Sequence, residues 1–345
     1  MNAARPPSSG PGLTVLGEQG PVASHLIDEE LARRGLPGLP EPLPGPVADD
    51  HTHLDAVQEI SGLDPEFTLA ASECVGVTRV VQVGCDVASS QWALDFAQTH
   101  DQVVAGVAVH PNDAARLVER EGDAALDAAI GRIAELAGHE RVRAVGETGL
   151  DYFRTRDERQ QAIQRRAFAA HIELAKATGR TLVIHDRDAH EDVLAVLDAE
   201  GWPRATVLHC FSGDAEFARA CLDHGAWLSF GGSITFKPNE ELRRALAATP
   251  ADRILVETDA PYLTPVPLRG RPNAPYLVAH TLRWIAHLHR GGALAAGPQV
   301  PRGELEEWCR QIDHNTDEAY GGHWGPAVGS PDHEPATGGI EPRHG

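Results

Sequence analysis

The stretch Val47-Ala48-Asp49-Asp50-His51-Thr52-His53 reads as a β-strand with a polar end, and it decides how the rest of the chain is read. In an extended strand the side chains at i and i+2 share a face, so His51 and His53 project together. Two neutral imidazoles side by side can hold one metal ion. In a closed parallel barrel that shared face is the interior at the carboxyl end, where barrel enzymes place their chemistry. Later strands are then expected to end in ligands as well.

Working outward, short apolar runs alternate with longer segments of helical period, the pattern of a parallel sheet covered by helices. Further strands are predicted at Val77 to Val83, Val103 to His110, Val142 to Glu147, Thr181 to His185, Ala205 to His209, Ala226 to Phe230 and Ile254 to Thr258. Helices are predicted near 64–75, 88–99, 123–138, 157–178, 189–199, 214–223, 239–248, 275–289 and 303–319. The strongest is Asp157 to Thr178, rich in Ala, Gln, Glu and Arg and stopped by Gly179. Eight strands alternating with helices, without an internal repeat, predict an α/β fold of the (β/α)8 TIM-barrel type. A doubly wound open sheet is the alternative with the same alternation.

The flanks differ in character. Residues 1–45 are dense in Pro and Gly, as in Leu36-Pro37-Gly38-Leu39-Pro40, and are expected to form a polyproline II or disordered leader. Residues 46–320 form the expected catalytic barrel. Residues 321–345, rich in Gly, Pro and His without an apolar period, are expected to be a disordered tail. Gly291 to Gly303 reads as a loop between the last two helices.

Composition narrows the class. Hydrophobic residues at 42% and charged residues at 23% fit a soluble globular protein with a substantial core. No apolar run approaches the roughly 18 residues of a membrane span, and no secretory signal opens the chain, so a cytoplasmic location is expected. The five cysteines include no Cys-x-x-Cys pair, which favours reduced thiols. A formal net charge of -20 argues against broad, sequence-independent nucleic-acid binding, but not against a phosphate-bearing substrate held by a local site.

The strand ends carry the chemistry. His51 and His53 end the first strand, Glu147 the fourth, His185 the fifth, His209 the sixth, and Glu257-Thr258-Asp259 the eighth. Taken singly, each is as readily a hydrogen-bonded histidine or a turn-capping carboxylate. Their shared position is what matters, because buried charge is costly unless paired or metal-bound. Mixed His and carboxylate ligation suits Zn, Mn, Fe or Co, with Mg possible, and a carboxylate such as Glu147 can bridge two ions. His110, ending the third strand, is a rim residue of the same kind. His100, His139, His171, His190, His224, His280, His287 and His289 fall in helices or loops and are read as packing or solvated residues. Cys210 beside His209 suggests a Cys/His nucleophile, but neighbours on a strand point to opposite faces. No Walker or dinucleotide-type glycine loop is present.

These runs resemble the TatD family of metal-dependent hydrolases, within the amidohydrolase-like barrels. The resemblance rests on Asp49-Asp50-His51-Thr52-His53-Leu54-Asp55, Val109-His110-Pro111, Gly146-Glu147-Thr148-Gly149-Leu150-Asp151-Tyr152, Ile184-His185-Asp186-Arg187, Leu208-His209-Cys210-Phe211-Ser212-Gly213, Ser229-Phe230-Gly231-Gly232 and Val256-Glu257-Thr258-Asp259-Ala260-Pro261-Tyr262-Leu263, in order over about 46–320. It implies a divalent-metal-dependent deoxyribonuclease or related phosphodiesterase with two ions per chain, Mg, Mn or Zn. By motif, His51, His53 and Asp259 would hold one ion and His185 and His209 the other, with Glu147 bridging. Two departures stand out: Asp186 where Ser or Thr is common, and Asn112 where a second histidine is common.

The expected reaction is hydrolysis of DNA phosphodiester bonds, at single-stranded or nicked ends, by a metal-activated water. Asp259 and Glu147 are the catalytic candidates, Asp259 accepting the proton of that water. His110, Arg187, Lys237, Arg269 and Arg271 are candidate substrate contacts, the four cations on loops after strands five, seven and eight. Two other readings remain: a D-aminoacyl-tRNA deacylase or other ester or amide hydrolase on the same barrel, and a non-catalytic metal-binding scaffold. No protein partner can be read.

Overall fold

The computed structural model describes residues 24–325. Its strands are β1 (Val47–Thr52), β2 (Val77–Val83), β3 (Val103–Val107), β4 (Val142–Asp151), β5 (Thr181–Arg187), β6 (Thr206–Leu208), β7 (Trp227–Phe230) and β8 (Ile254–Val256). They pair in parallel, each with the next in sequence. The ring closes where Thr52 bridges Ala260 in parallel and the Asp259 N–H donates to the His51 carbonyl at 3.0 Å. The expected eight-stranded barrel is therefore what forms, and the open-sheet alternative is excluded by that seam.

The helices are α1 (Ser24–Arg33), α2 (Leu54–Ser61), α3 (Pro65–Glu73), α4 (Val87–Thr99), α5 (Pro111–Glu121), α6 (Asp123–Ala137), α7 (Glu158–Thr178), α8 (His190–Glu200), α9 (Ala215–Asp223), α10 (Glu240–Ala248), α11 (Val278–His289) and α12 (Arg302–Ala319). Their ends follow local chemistry. Asp64 caps α3 ahead of Pro65, a residue whose missing N–H is no loss in the first turn. Asp86 and Ser89 form a capping box on α4, and Gly179 ends α7 at φ +66°. Every residue of β1 is buried, as expected for strands covered on both faces. Ala48, Val81, Val104, Ala144, Val183, Val207 and Leu255 fill the barrel interior. Tyr320 and Trp324 belong to the same cluster and come from the segment after α12, which carries them to the amino end of the barrel.

The flanks depart from the sequence expectation. Residues 24–45 are not an unstructured leader. The pair Ile27 and Leu31, four residues apart on α1, buries one helical face, and the proline-rich run that follows lies along the barrel. Prolines keep their carbonyls, and here these are used: Tyr276 donates to Pro37 at 2.9 Å, and Arg283 donates to Glu41 at 2.7 Å and Pro42 at 3.1 Å. Nor is Gly321–Gly325 free tail. Trp324 is buried, donates to the Gln102 carbonyl at 3.1 Å and covers the guanidinium of Arg79, a buried cation that also pairs with Asp313 and Asp317 of α12. The disorder expected for 1–23 and 326–345 falls on residues outside those described. Within the described residues, no helix is long and apolar enough to cross a membrane.

Candidate metal centre

The carboxyl ends of the strands converge on Glu147. Its Oε2 lies 2.8 Å from His209 Nε2 and 3.2 Å from His185 Nδ1, and its Oε1 lies 3.5 Å from His53 Nε2 and 3.8 Å from His51 Nε2. Each carboxylate oxygen thus faces a different pair of imidazoles. Asp259 Oδ1 stands 3.5 Å from His53 Nε2. His51 stacks on His209 with ring centroids 3.8 Å apart. All six residues expected from the sequence to hold metal therefore meet in one place.

Local backbone chemistry sets this arrangement. His53 directs Nδ1 to the Val83 carbonyl at 2.9 Å, which turns Nε2 toward two carboxylates. Gly149 lets β4 press against β5 behind His185, since a Cβ there would sit 2.1 Å from the His185 carbonyl oxygen. Asp259 adopts φ +50°, a left-handed conformation uncommon for a residue with a side chain. Asn273 holds that turn, donating to the carbonyls of Thr258 at 2.9 Å and Tyr262 at 2.6 Å.

The electrostatics are those of a closely packed charge cluster. Burial pushes the Glu147 carboxyl up, but His209 and His185 outweigh it and hold Glu147 well below the usual carboxylate range. Burial pushes His209 down, and Glu147 and Glu257 more than reverse it. Asp259 is likewise pushed up by burial and pulled below its ordinary value by His53. Beneath the site, burial drives Asp49 and Asp50 well up; Asp49 accepts from the Thr258 N–H at 2.9 Å and Asp50 from Ser229 at 2.6 Å.

The donor set fits divalent metal. His51 Nδ1 and Nε2, His185 Nε2 and His209 Nδ1 are buried without a hydrogen-bond partner among the described residues. Such atoms are costly unless something satisfies them. At this centre four groups of three donors lie within 4.8 Å of one another: His51, Glu147 and His209; His51, His53 and Asp259; His110, Glu147 and His185; and His53, Cys85 and Glu147. Nitrogen and carboxylate oxygen together suit Zn or Mn, with Mg accommodated by oxygen donors.

The other expected residues divide. His110 stands at the cluster, its Nε2 3.9 Å from Glu147 Oε2, and burial pushes it down to about 3, so it is neutral. Arg187 lines a cleft of about 930 Å³ above the cluster, whereas Lys237, Arg269 and Arg271 do not line it. Arg269 covers Phe236, and Arg271 donates to the Gly35 carbonyl. Cys210 does open on the cleft, because the chain leaves the strand at Leu208 and Cys210 turns at φ +43°; the opposite-face argument fails there. Burial holds its thiol well above the ordinary value, which disfavours the thiolate.

Sequence reasoning quoted Asp151 and Glu257 at strand ends but gave neither them nor Cys85 a role in the centre. Asp151 Oδ2 sits 3.6 Å from His185 Nε2 and accepts from Asn112 Nδ2 at 2.8 Å, so the Asn112 departure serves to hold a carboxylate. Cys85 Sγ lies 3.4 Å from Glu147 Oε1. Glu257, fully buried, approaches His209 Nδ1 at 3.6 Å. Their common signal was position at or just past a strand end. The Asp186 carboxylate at the second departure is taken up locally, 2.6 Å from His190 Nδ1.

Comparisons with known proteins agree with this geometry. The family described as TatD related DNase matches residues 48–321. The metal-dependent hydrolase TatD of Mycobacterium tuberculosis is 44% identical over 245 residues, covering 70% of this chain and 90% of that protein. The 3'-5' ssDNA/RNA exonuclease TatD of Pantoea ananatis is 35% identical over 268 residues, 75% of this chain and 94% of its own. The crystal structure of YJJV, a TatD homologue from Escherichia coli, superposes with a TM-score of 0.68 at 25% identity, covering 80% of this chain and 98% of the other. The chain belongs to the TatD family of metal-dependent hydrolases.

Proposed function

We propose that the protein hydrolyses phosphodiester bonds of DNA at single-stranded ends, using two divalent ions drawn from Mg, Mn and Zn. The observation that carries this is the placement of Glu147, with one oxygen toward His51 and His53 and the other toward His185 and His209. In this reading His51, His53 and Asp259 would hold one ion and His185 and His209 the other, with Glu147 available to both. Bound ions of this kind supply Lewis-acid activation of water and neutralise charge on the phosphate. Asp259, fixed by its turn, accepts the proton of the attacking water at a carboxylate oxygen and keeps that water oriented. Arg187 lies on the cleft wall above His185 and donates to a non-bridging phosphate oxygen. The exonuclease named among the relatives supports a single-stranded substrate.

The test is an assay on end-labelled single-stranded DNA with Mg, Mn and Zn in turn, beside aminoacyl-tRNA and simple esters. Metal-dependent cleavage is expected, reduced about 10²–10⁴-fold in Asp259→Asn with the melting temperature kept. Turnover of esters or aminoacyl-tRNA with no DNA cleavage would replace this reading with a deacylase.

A further inference from the structure

Among the described residues four large apolar side chains are exposed, Leu26, Ile60, Phe153 and Tyr262; Tyr262 lines the cleft, and Phe153 lies just outside it, against the Arg187 that does. Phe153 is 45% exposed and follows Asp151 at the end of β4; Tyr262 is 52% exposed and follows Asp259 beyond β8. In the closed ring of eight strands, β4 and β8 are as far apart as two strands can be, so the two rings flank the mouth from opposite sides. Each is tied to a carboxylate of the centre. The Tyr262 N–H donates to the Asp259 carbonyl at 2.8 Å, and Asp151 faces His185 at 3.6 Å.

Phe153 is not simply a stray apolar group. The guanidinium of Arg187 lies 4.0 Å from its ring centroid, making a flat platform that carries positive charge. A polar rim gains nothing from two exposed aromatic rings unless a flat partner covers them. The bases of a nucleic acid are such partners, and their phosphates match Arg187.

We infer that Phe153 with Arg187 on one side, and Tyr262 on the other, are stacking platforms for the bases flanking the phosphate that is cut. This rests on the nuclease reading above and specifies its substrate. A base inside a duplex already has both faces stacked, so only an unstacked base can use either platform. The two rings therefore select single-stranded DNA through base faces, without reading sequence.

The experiment is a cycle of kcat/KM measurements with Mg, Mn or Zn, comparing an intact single-stranded oligonucleotide with one carrying tetrahydrofuran abasic units near the cut. Wild type, Phe153→Leu, Tyr262→Leu and the double variant are compared, with Phe153→Trp as the conservative control for folding. Wild type is expected to prefer the intact strand by about 5- to 150-fold, mostly through KM. That preference should collapse toward equality in the double variant and return in Phe153→Trp. Quenching of a 2-aminopurine placed at the same position gives a binding readout without turnover, and should be lost in parallel. Equal treatment of intact and abasic strands by wild type, or a preference undiminished in the double variant, overturns the stacking assignment while leaving the nuclease intact. No cleavage of either strand with any of the three metals overturns both.

Discussion

Glu257 is buried, its two oxygens have no hydrogen-bond partner among the described residues, and one of them approaches His209 Nδ1 at 3.6 Å. A carboxylate behind a ligating imidazole fixes the ring and raises its basicity. Glu257→Gln is therefore expected to weaken divalent-metal binding about 10- to 100-fold, read by competition with a chelating dye. Unchanged affinity would assign Glu257 to barrel packing instead. The six residues of the centre were legible because a strand end is a readable position, and coincidence across five strands outweighs the ambiguity of each histidine. The arginines were less legible. Arg187, Lys237, Arg269 and Arg271 all follow strands of the right rim, but a long side chain goes where its nearest partner is, and Phe236 and the Gly35 carbonyl claim Arg269 and Arg271.

At the scale of elements, α7 shows how a helix sets a strand end. His171 lies fully buried on α7, donates from Nδ1 to the Ala167 carbonyl at 2.7 Å and accepts at Nε2 from the Val109 N–H at 3.1 Å, next to His110. Both nitrogens are used by the neutral ring, and burial pushes its pKa down from 6.5 to about 4. The unfolded chain takes up a proton below about 6.5 that the folded one refuses until about 4. Stability from this group is thus present at neutral pH and declines as pH falls through that window, by about 3 kcal/mol in all. Urea midpoints of wild type and His171→Gln should therefore converge between pH 7 and pH 4.5; parallel curves would show that His171 does not carry the slope. The same helix was the clearest in the sequence, while α1, α2 and α5 were not predicted. The first is masked by neighbouring prolines, the second directly follows the His51-Thr52-His53 run, and the third opens on Pro111 with few apolar residues. Strands were easier, since burial on both faces leaves uninterrupted Val-rich runs.

The whole molecule is strongly acidic, with a formal net charge of -20, and among the described residues Arg116, Arg154 and Arg187 are the only arginine or lysine side chains lining its cleft. Arg116 is already paired with Asp113 at 2.9 Å. With about three phosphates neutralised at most, single-stranded DNA should bind with a salt slope of about -2 or shallower. Fluorescence titration between about 50 and about 200 mM salt measures it, and a slope near about -5 would reveal a basic track elsewhere on the surface. One feature of the ring also reaches beyond the finished enzyme. The seam joins the first strand to the last, and the turn at Asp259 docks on His51 only when that seam forms. Chains fold from the N-terminus as the ribosome releases them. A nascent chain has five of the six side chains of the centre once His209 has emerged, but it lacks the sixth, Asp259, until the barrel shuts. A hydrolase built this way completes its centre only when its last strand is in place, and a chain cut short before β8 carries an unfinished one.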